Sequence, residues 1–193
     1  MFALIGDDAR SLAFDDRRTV TRPPAVIPLV GILRQTAGLI GSLTDEQYAM
    51  KPVGVVPSSI GGHVRHSLDH IDALLRVAVE GVLDYDRRAR DTEVERCRRA
   101  ALETIRRQEQ QLLELPWPPG SQSLSLSVLL TPDAMPVEVC TSLDRELAFV
   151  LSHTIHHNAL VAVMAKLLGV PVPQDFGFAP STLAHGRSAT CVR

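Results

Sequence analysis

The residues in this chain whose type and spacing could do chemistry are histidines. Six of the seven fall in two short windows: His63, His66 and His70 in one, His153, His156 and His157 in the other. Neutral imidazole is a good ligand for zinc, nickel, iron or copper, and a pair at i,i+4 on a helix supplies two bonds from one rigid element. His153 and His157 have that spacing. At about 100° per residue they share a face with Leu143, Leu147, Val150, Leu160, Val161, Met164 and Leu168, so both rings should point inward, whereas His156 falls off the stripe. His63, His66 and His70 line the flank of another apolar face, within reach of a neighbouring helix. A third imidazole from that strip would complete a divalent metal site with positions open for water or substrate. The bland alternative is a set of hydrogen-bonded core histidines and surface histidines. Clustering at two places so far apart in sequence favours the metal.

Other side chains are weighed against structural roles. Glu146 lies two turns before His153 on the same face, where it could accept a proton from a metal-bound water or hold a ligand's free N–H. A salt bridge to Arg145 or to another arginine at the helix entry is the competing role. Arg65 and Asp69 are expected to form a solvated i,i+4 pair. The junction from Tyr85 to Asp91 could grip an anion through its arginines, but a capping network is the preferred reading. No glycine-rich phosphate loop follows a strand, so no nucleotide cofactor is suggested. Cys97, Cys140 and Cys191 are irregularly spaced and odd in number, which is not a disulfide framework and fits a reducing compartment. Cys140 is expected to be a buried structural thiol and His185 an exposed tail residue.

These windows need helices to position them. From Pro24 to Leu43, Ile27, Val30, Leu33, Ala37 and Ile40 recur at helical spacing. Thr44 to Gln47 has capping-box spacing and opens a short helix that Pro52 stops. Ser58 or Ser59 caps a second long helix with the stripe Ile60, Val64, Leu68, Ile71, Leu75, Ala78 and Val82. Thr92 and Glu95 form another capping box for a third, in which Val94, Cys97, Ala101, Ile105 and Leu112 face inward and Glu95–Arg99 and Glu103–Arg107 are solvated pairs. Pro116 to Gly120 breaks it. Leu124, Leu126 and Val128, then Val137 and Val139, alternate with other residues around a turn at Thr131 to Asp133, predicting a small β-hairpin. Thr141 or Ser142 caps a fourth long helix that runs to Leu168 and stops at Gly169.

The whole is expected to be one domain, residues 1–193, with a core over about 25–170, a loosely packed arm over 1–22 and a Pro/Gly-rich tail over 171–193. Apolar residues make up 45% and charged residues 22%, which excludes long disorder. A net charge of -2 gives no electrostatic case for nucleic acid or an anionic membrane as partner. Of the 20 basic residues only Lys51 and Lys166 are lysines, and the arginines are interleaved with acids rather than gathered into a basic face. The first residues lack a signal-peptide pattern, and the apolar stretch over Ala159 to Val172 is too short to span a bilayer. A cytoplasmic protein is expected.

Ser59-Ile60, followed six residues after the isoleucine by His66, and Ser152-His153-Thr154-Ile155-His156-His157 resemble the two motifs of the DinB/YfiT-like family of metal-dependent enzymes. The resemblance covers roughly residues 25 to 170. It implies an all-α protein in the main, a four-helix bundle with the hairpin between its third and fourth long helices, and a three-histidine site. By carry-over the ligands are His66, His153 and His157, with His63 and His70 as alternatives because they flank His66. The implied ion is zinc or nickel first, with iron and manganese as further candidates. The implied activity, on a small molecule, is that of a thiol-dependent transferase or a hydrolase. The alternative function is a non-catalytic, metal-stabilised bundle acting as a dimeric binding or sensor module. Asn158 departs from the commonest family pattern, and Phe176 to Thr182 looks like a subgroup signature to which the sequence attaches no mechanism.

Overall fold

The structure is a computed structural model that describes residues 22–54, 57–87 and 92–190. The expected arm over 1–22, all but its last residue, and Cys191 lie outside the described residues. Among the described residues, seven helices and three strands follow in the order α1 (Val26–Gly41), α2 (Asp45–Ala49), α3 (Ile60–Glu80), β1 (Val82–Asp84), α4 (Glu93–Arg96), α5 (Arg98–Glu114), β2 (Ser123–Val128), β3 (Val137–Ser142), α6 (Leu143–Leu167) and α7 (Pro180–Thr190). The protein is mostly helical. α1 packs on α5 and α6, and α3 packs on the same two, so the four long helices close a ring around one core.

That core is aliphatic, with Leu29, Leu33, Ile40, Ile60, Ile71, Leu74, Ile105, Leu112 and Leu147 all removed from water. Each such side chain contributes roughly 1.5–3 kcal/mol on burial. The expected stripes hold in part. Val30, Leu33 and Ile40 of α1 are buried, but Ile27 is exposed because Val26 and Leu29 take the inner positions of the first turn. In α3 the stripe from Ile60 through Leu75 is buried, whereas Val82 leaves the helix at Gly81 (φ 75°) and enters β1, half-exposed.

The third long helix differs most from expectation. It is broken at Cys97 into α4 and α5, and the Thr92 side chain makes no cap hydrogen bond. Glu95 turns instead to Arg65 on α3, at 3.0 Å. That leaves Arg99 to approach Glu103 rather than Glu95, at 3.9 Å. The hairpin forms as β2 and β3, antiparallel with Ser123 opposite Ser142, and β1 adds a third, parallel strand on β2. Cys140 lies on the outer strand and is exposed, not buried. α6 is by length and composition apolar enough to cross a membrane, and the stretch Ala159 to Val172 read from the sequence overlaps only its last part, up to Leu167. Its apolar character has a structural use here, because Leu143, Leu147, Val150, Val161 and Met164 fill the core. The C-terminal segment is not only a Pro/Gly-rich tail. Phe176 is buried and α7 follows it.

Candidate metal centre

Two local devices aim α3 and α6 at each other. Ser59 caps α3 by accepting the Gly62 N–H at 3.0 Å. Gly61 and Gly62 let the first turn lie against α4, since a Cβ on Gly61 would overlap the Glu95 carbonyl oxygen. Arg65 then ties the turn down, paired with Asp69 at 2.7 Å and Glu95 at 3.0 Å. The expected surface pair is thus half-buried and bridges two helices. On α6, Ser142 accepts the Arg145 N–H. Asn158 is buried and its amide donates to Thr36 Oγ1 of α1 at 3.0 Å, which fixes how α6 is rotated. With Asn158 held toward α1, His153 and His157 face α3.

The imidazoles meet. His153 Nε2 stands 3.0 Å from His66 Nε2 and 3.2 Å from His157 Nε2. His157 Nδ1 is 3.0 Å from His63 Nδ1. His70 donates from Nδ1 to the His66 carbonyl oxygen at 3.0 Å, and the ligand nitrogens of His66, His70 and His153 lie within 4.8 Å of one another. Donor chemistry tests whether a cation suits this cluster. A ring nitrogen carries either one proton or one in-plane lone pair. His153 Nε2 therefore makes a good hydrogen bond to only one of the two nitrogens that face it. With metal–nitrogen bonds of about 2.0–2.1 Å, neighbouring donors on one ion stand about 3.0–3.4 Å apart. The His66–His153 and His153–His157 spacings fit that range, and among the described residues His66, His70 and His153 form a group that could hold a metal ion.

Burial keeps two of these rings, His157 and His63, in the neutral form. The His157 pKa is pushed down to about 3, first by burial and then by the neighbouring His153, His63, His156 and His70. His63 is lowered as well, by burial and then by His156.

Glu146 is fully buried but beside the cluster rather than within it. Its carboxyl accepts from Tyr85 Oη at 2.8 Å, Thr141 Oγ1 at 2.6 Å and Arg145 Nη1 at 2.7 Å. The salt bridge to Arg145 is present, joined by two hydroxyls that sequence reasoning did not foresee. Tyr85 stacks on His70 with centroids 4.8 Å apart, and His70 stacks on His153 at 4.4 Å. The Tyr85 hydroxyl is held above its usual pKa by burial and then by Glu146. The Phe149 and His153 ring centroids are 5.4 Å apart, and the Arg145 guanidinium lies over the Phe149 ring, 5.2 Å from its centroid. Phe149 precedes His153 by four positions and was findable by helical spacing. Tyr85 was not, since nothing near it in sequence points to α6. His156 is exposed and touches only the edge of the group, and His185 is exposed on α7. The part of the Tyr85 to Asp91 junction beyond Arg87 lies outside the described residues. Its first part is a capping network, with Asp84 Oδ1 accepting the Asp86 and Arg87 N–H groups.

Fold and site together define a mostly helical protein whose two facing helices offer histidines to a metal ion. Comparison with known proteins agrees. The family model for the DinB family matches residues 31–182, and the chain belongs to that family. It is also similar to a protein of Rhizopus delemar described as FK506-binding protein 5, at 32% identity over 158 residues. That match covers 81% of this chain and 36% of the relative, so the chain spans about a third of that protein's length. No solved structure matches.

Proposed function

We propose that this chain is a metal-dependent enzyme of the thiol-transferase or hydrolase kind, acting on a small molecule, with His66, His153 and His157 as ligands of one divalent ion. The observation that carries this reading is the approach of His66 Nε2 and His157 Nε2 to His153 Nε2, at 3.0 and 3.2 Å, from two helices. Zinc and nickel are the first candidates for the ion, then iron and manganese, because imidazole suits several of these metals. When bound, such an ion supplies Lewis-acid activation of a water or thiol at neutral pH. The chain's own residues hold the rings in place, and burial holds His157 neutral. Glu146 serves the reading as a proton-handling or positioning group through Tyr85, whose hydroxyl it accepts and whose ring lies on His70. The ring of α1, α3, α5 and α6 supports a four-helix bundle of the family's type. A cytoplasmic location fits the thiols Cys97 and Cys140, which form no disulfide among the described residues. Neither nucleic acid nor membrane is part of the reading, and a homodimer is compatible with it.

The test is metal content by plasma mass spectrometry on protein purified without a nickel column. His66→Ala, His153→Ala and His157→Ala should each lose most of the metal, while His156→Ala and His185→Ala keep it. Full retention in any of the first three removes that residue from the ligand set. Metal-free wild-type protein overturns the reading. A non-catalytic centre has one observation in its favour, the deep burial of His63 and His70 around the cluster. Exchangeable water on the bound ion, measured by proton relaxation after manganese loading, distinguishes the open site of an enzyme from a closed one.

A further inference from the structure

Resting on the metal reading above, we propose that the centre of this chain is a four-imidazole site, in which His70 joins His66, His153 and His157, and His63 stands outside them as the hydrogen-bond partner of His157. The argument begins with tautomers. A carbonyl oxygen only accepts, so the 3.0 Å contact from His70 Nδ1 to the His66 carbonyl puts the His70 proton on Nδ1. Nε2 is then the nitrogen with the lone pair, in the form that ligates. The ligand nitrogens of His66, His70 and His153 already lie within 4.8 Å of one another. Donors on one ion stand about 3.0–3.4 Å apart, so His70 is near enough to join His66 and His153 on one ion after a small movement of its ring. The arrangement is two plus two: His66 and His70 are an i,i+4 pair on α3, and His153 and His157 are an i,i+4 pair on α6. Each helix presents the same two-toothed grip.

His63 has a different geometry. Its Nδ1 meets His157 Nδ1 at 3.0 Å, on the far side of the ring from the nitrogen that faces His153. If His157 ligates through Nε2, its proton is on Nδ1 and donates to His63 Nδ1. His63 must then carry its own proton on Nε2, which is buried and has no hydrogen-bond partner among the described residues. His63 is a positioning residue, and the orphaned Nε2 is the cost of that role.

A fourth imidazole changes what the ion can do. On a tetrahedral ion four rings close the site, whereas a six-coordinate ion keeps two positions for water and substrate. An active enzyme built on these residues therefore carries an ion of coordination number above four.

The experiment is X-ray absorption on the metal-loaded wild-type protein, with Co(II) titration of His70→Ala and His63→Ala beside it. Four imidazole scatterers are expected on the wild-type ion, and three overturn the proposal while leaving the metal reading intact. Loss of a bond to the ion should exceed the 10–100-fold affinity loss typical of an outer partner. His70→Ala should therefore weaken Co(II) by more than about 100-fold and alter its visible absorption. His63→Ala should weaken it by about 10–100-fold and leave the bands in place. A His70→Ala protein with wild-type affinity and bands overturns the fourth ligand. Wild-type protein that takes up no Co(II) overturns this proposal and the metal reading together.

Discussion

His157 is where acid should act first on the metal-free protein. In the unfolded chain its imidazole titrates near 6.5, and in the folded protein at about 3, so below 6.5 the unfolded state binds more protons. Stability from this residue is therefore complete above about pH 6.5 and is lost progressively as pH falls toward 3; His63, shifted the same way, adds to it. Urea midpoints measured with chelator present should fall from pH 7 to pH 5. His157→Gln, which cannot take up the proton, should show a shallower fall over the same interval. Equal slopes in the two proteins would remove His157 as the source. The sequence disclosed this group well because its message is one-dimensional: an i,i+4 spacing and an apolar stripe place two rings on one face without knowledge of the rest. It left the third ring open among His63, His66 and His70, since their order along α3 says nothing about how far α6 lies from each. It missed the hydroxyls of Tyr85 and Thr141 at Glu146, because those contacts join β3 and the segment after β1 to α6.

Where one element meets another, glycine is the sensitive residue, and Gly177 is the clearest case. It connects the buried Phe176 to the segment leading into α7, with φ at 78°, and a Cβ there would stand 2.7 Å from the Ala159 backbone on α6. Gly177→Ala meets both a left-handed backbone penalty of about 1–2 kcal/mol and an overlap that backbone cannot relieve by turning a rotamer. The loss should be about 2–3 kcal/mol, read as a lower urea midpoint, and limited proteolysis should cleave before α7. Gly186→Ala, in open space on α7, is the control and should be near neutral. A Gly177→Ala protein as stable as wild type would mean that the C-terminal segment does not bear on α6. This gives Phe176 to Thr182 the physical role that its sequence withheld. Helix starts were legible wherever a cap is local, as at Thr44 with Gln47, Ser59 and Ser142. The break at Cys97 was not, because the carboxyl expected to cap that helix is claimed by Arg65 on another one. β1 was hidden for a similar reason: three residues become a strand only because β2 lies beside them.

A metal held between α3 and α6 joins the two helices that carry the core's central contact, so its binding should register in the stability of the entire fold. An ion that binds the native state alone stabilises it by RT ln(1 + [L]/Kd), about 2.7 kcal/mol at a hundred times Kd. For a chain of this size 1 kcal/mol moves Tm by about 2–4 °C, so saturating metal should raise the melting temperature by about 5–10 °C over the chelated protein. Ring nitrogens from both helices would be the route by which that energy reaches the fold. His156→Ala, exposed on the outer side of α6, should show the full rise, and His153→Ala should show almost none. His153 is the informative variant because its Nε2 is the point that both His66 and His157 approach. Differential scanning calorimetry of the three proteins with metal and with chelator decides the matter. A wild-type protein that binds one equivalent yet melts at the same temperature in both conditions would place the ion somewhere other than between these helices.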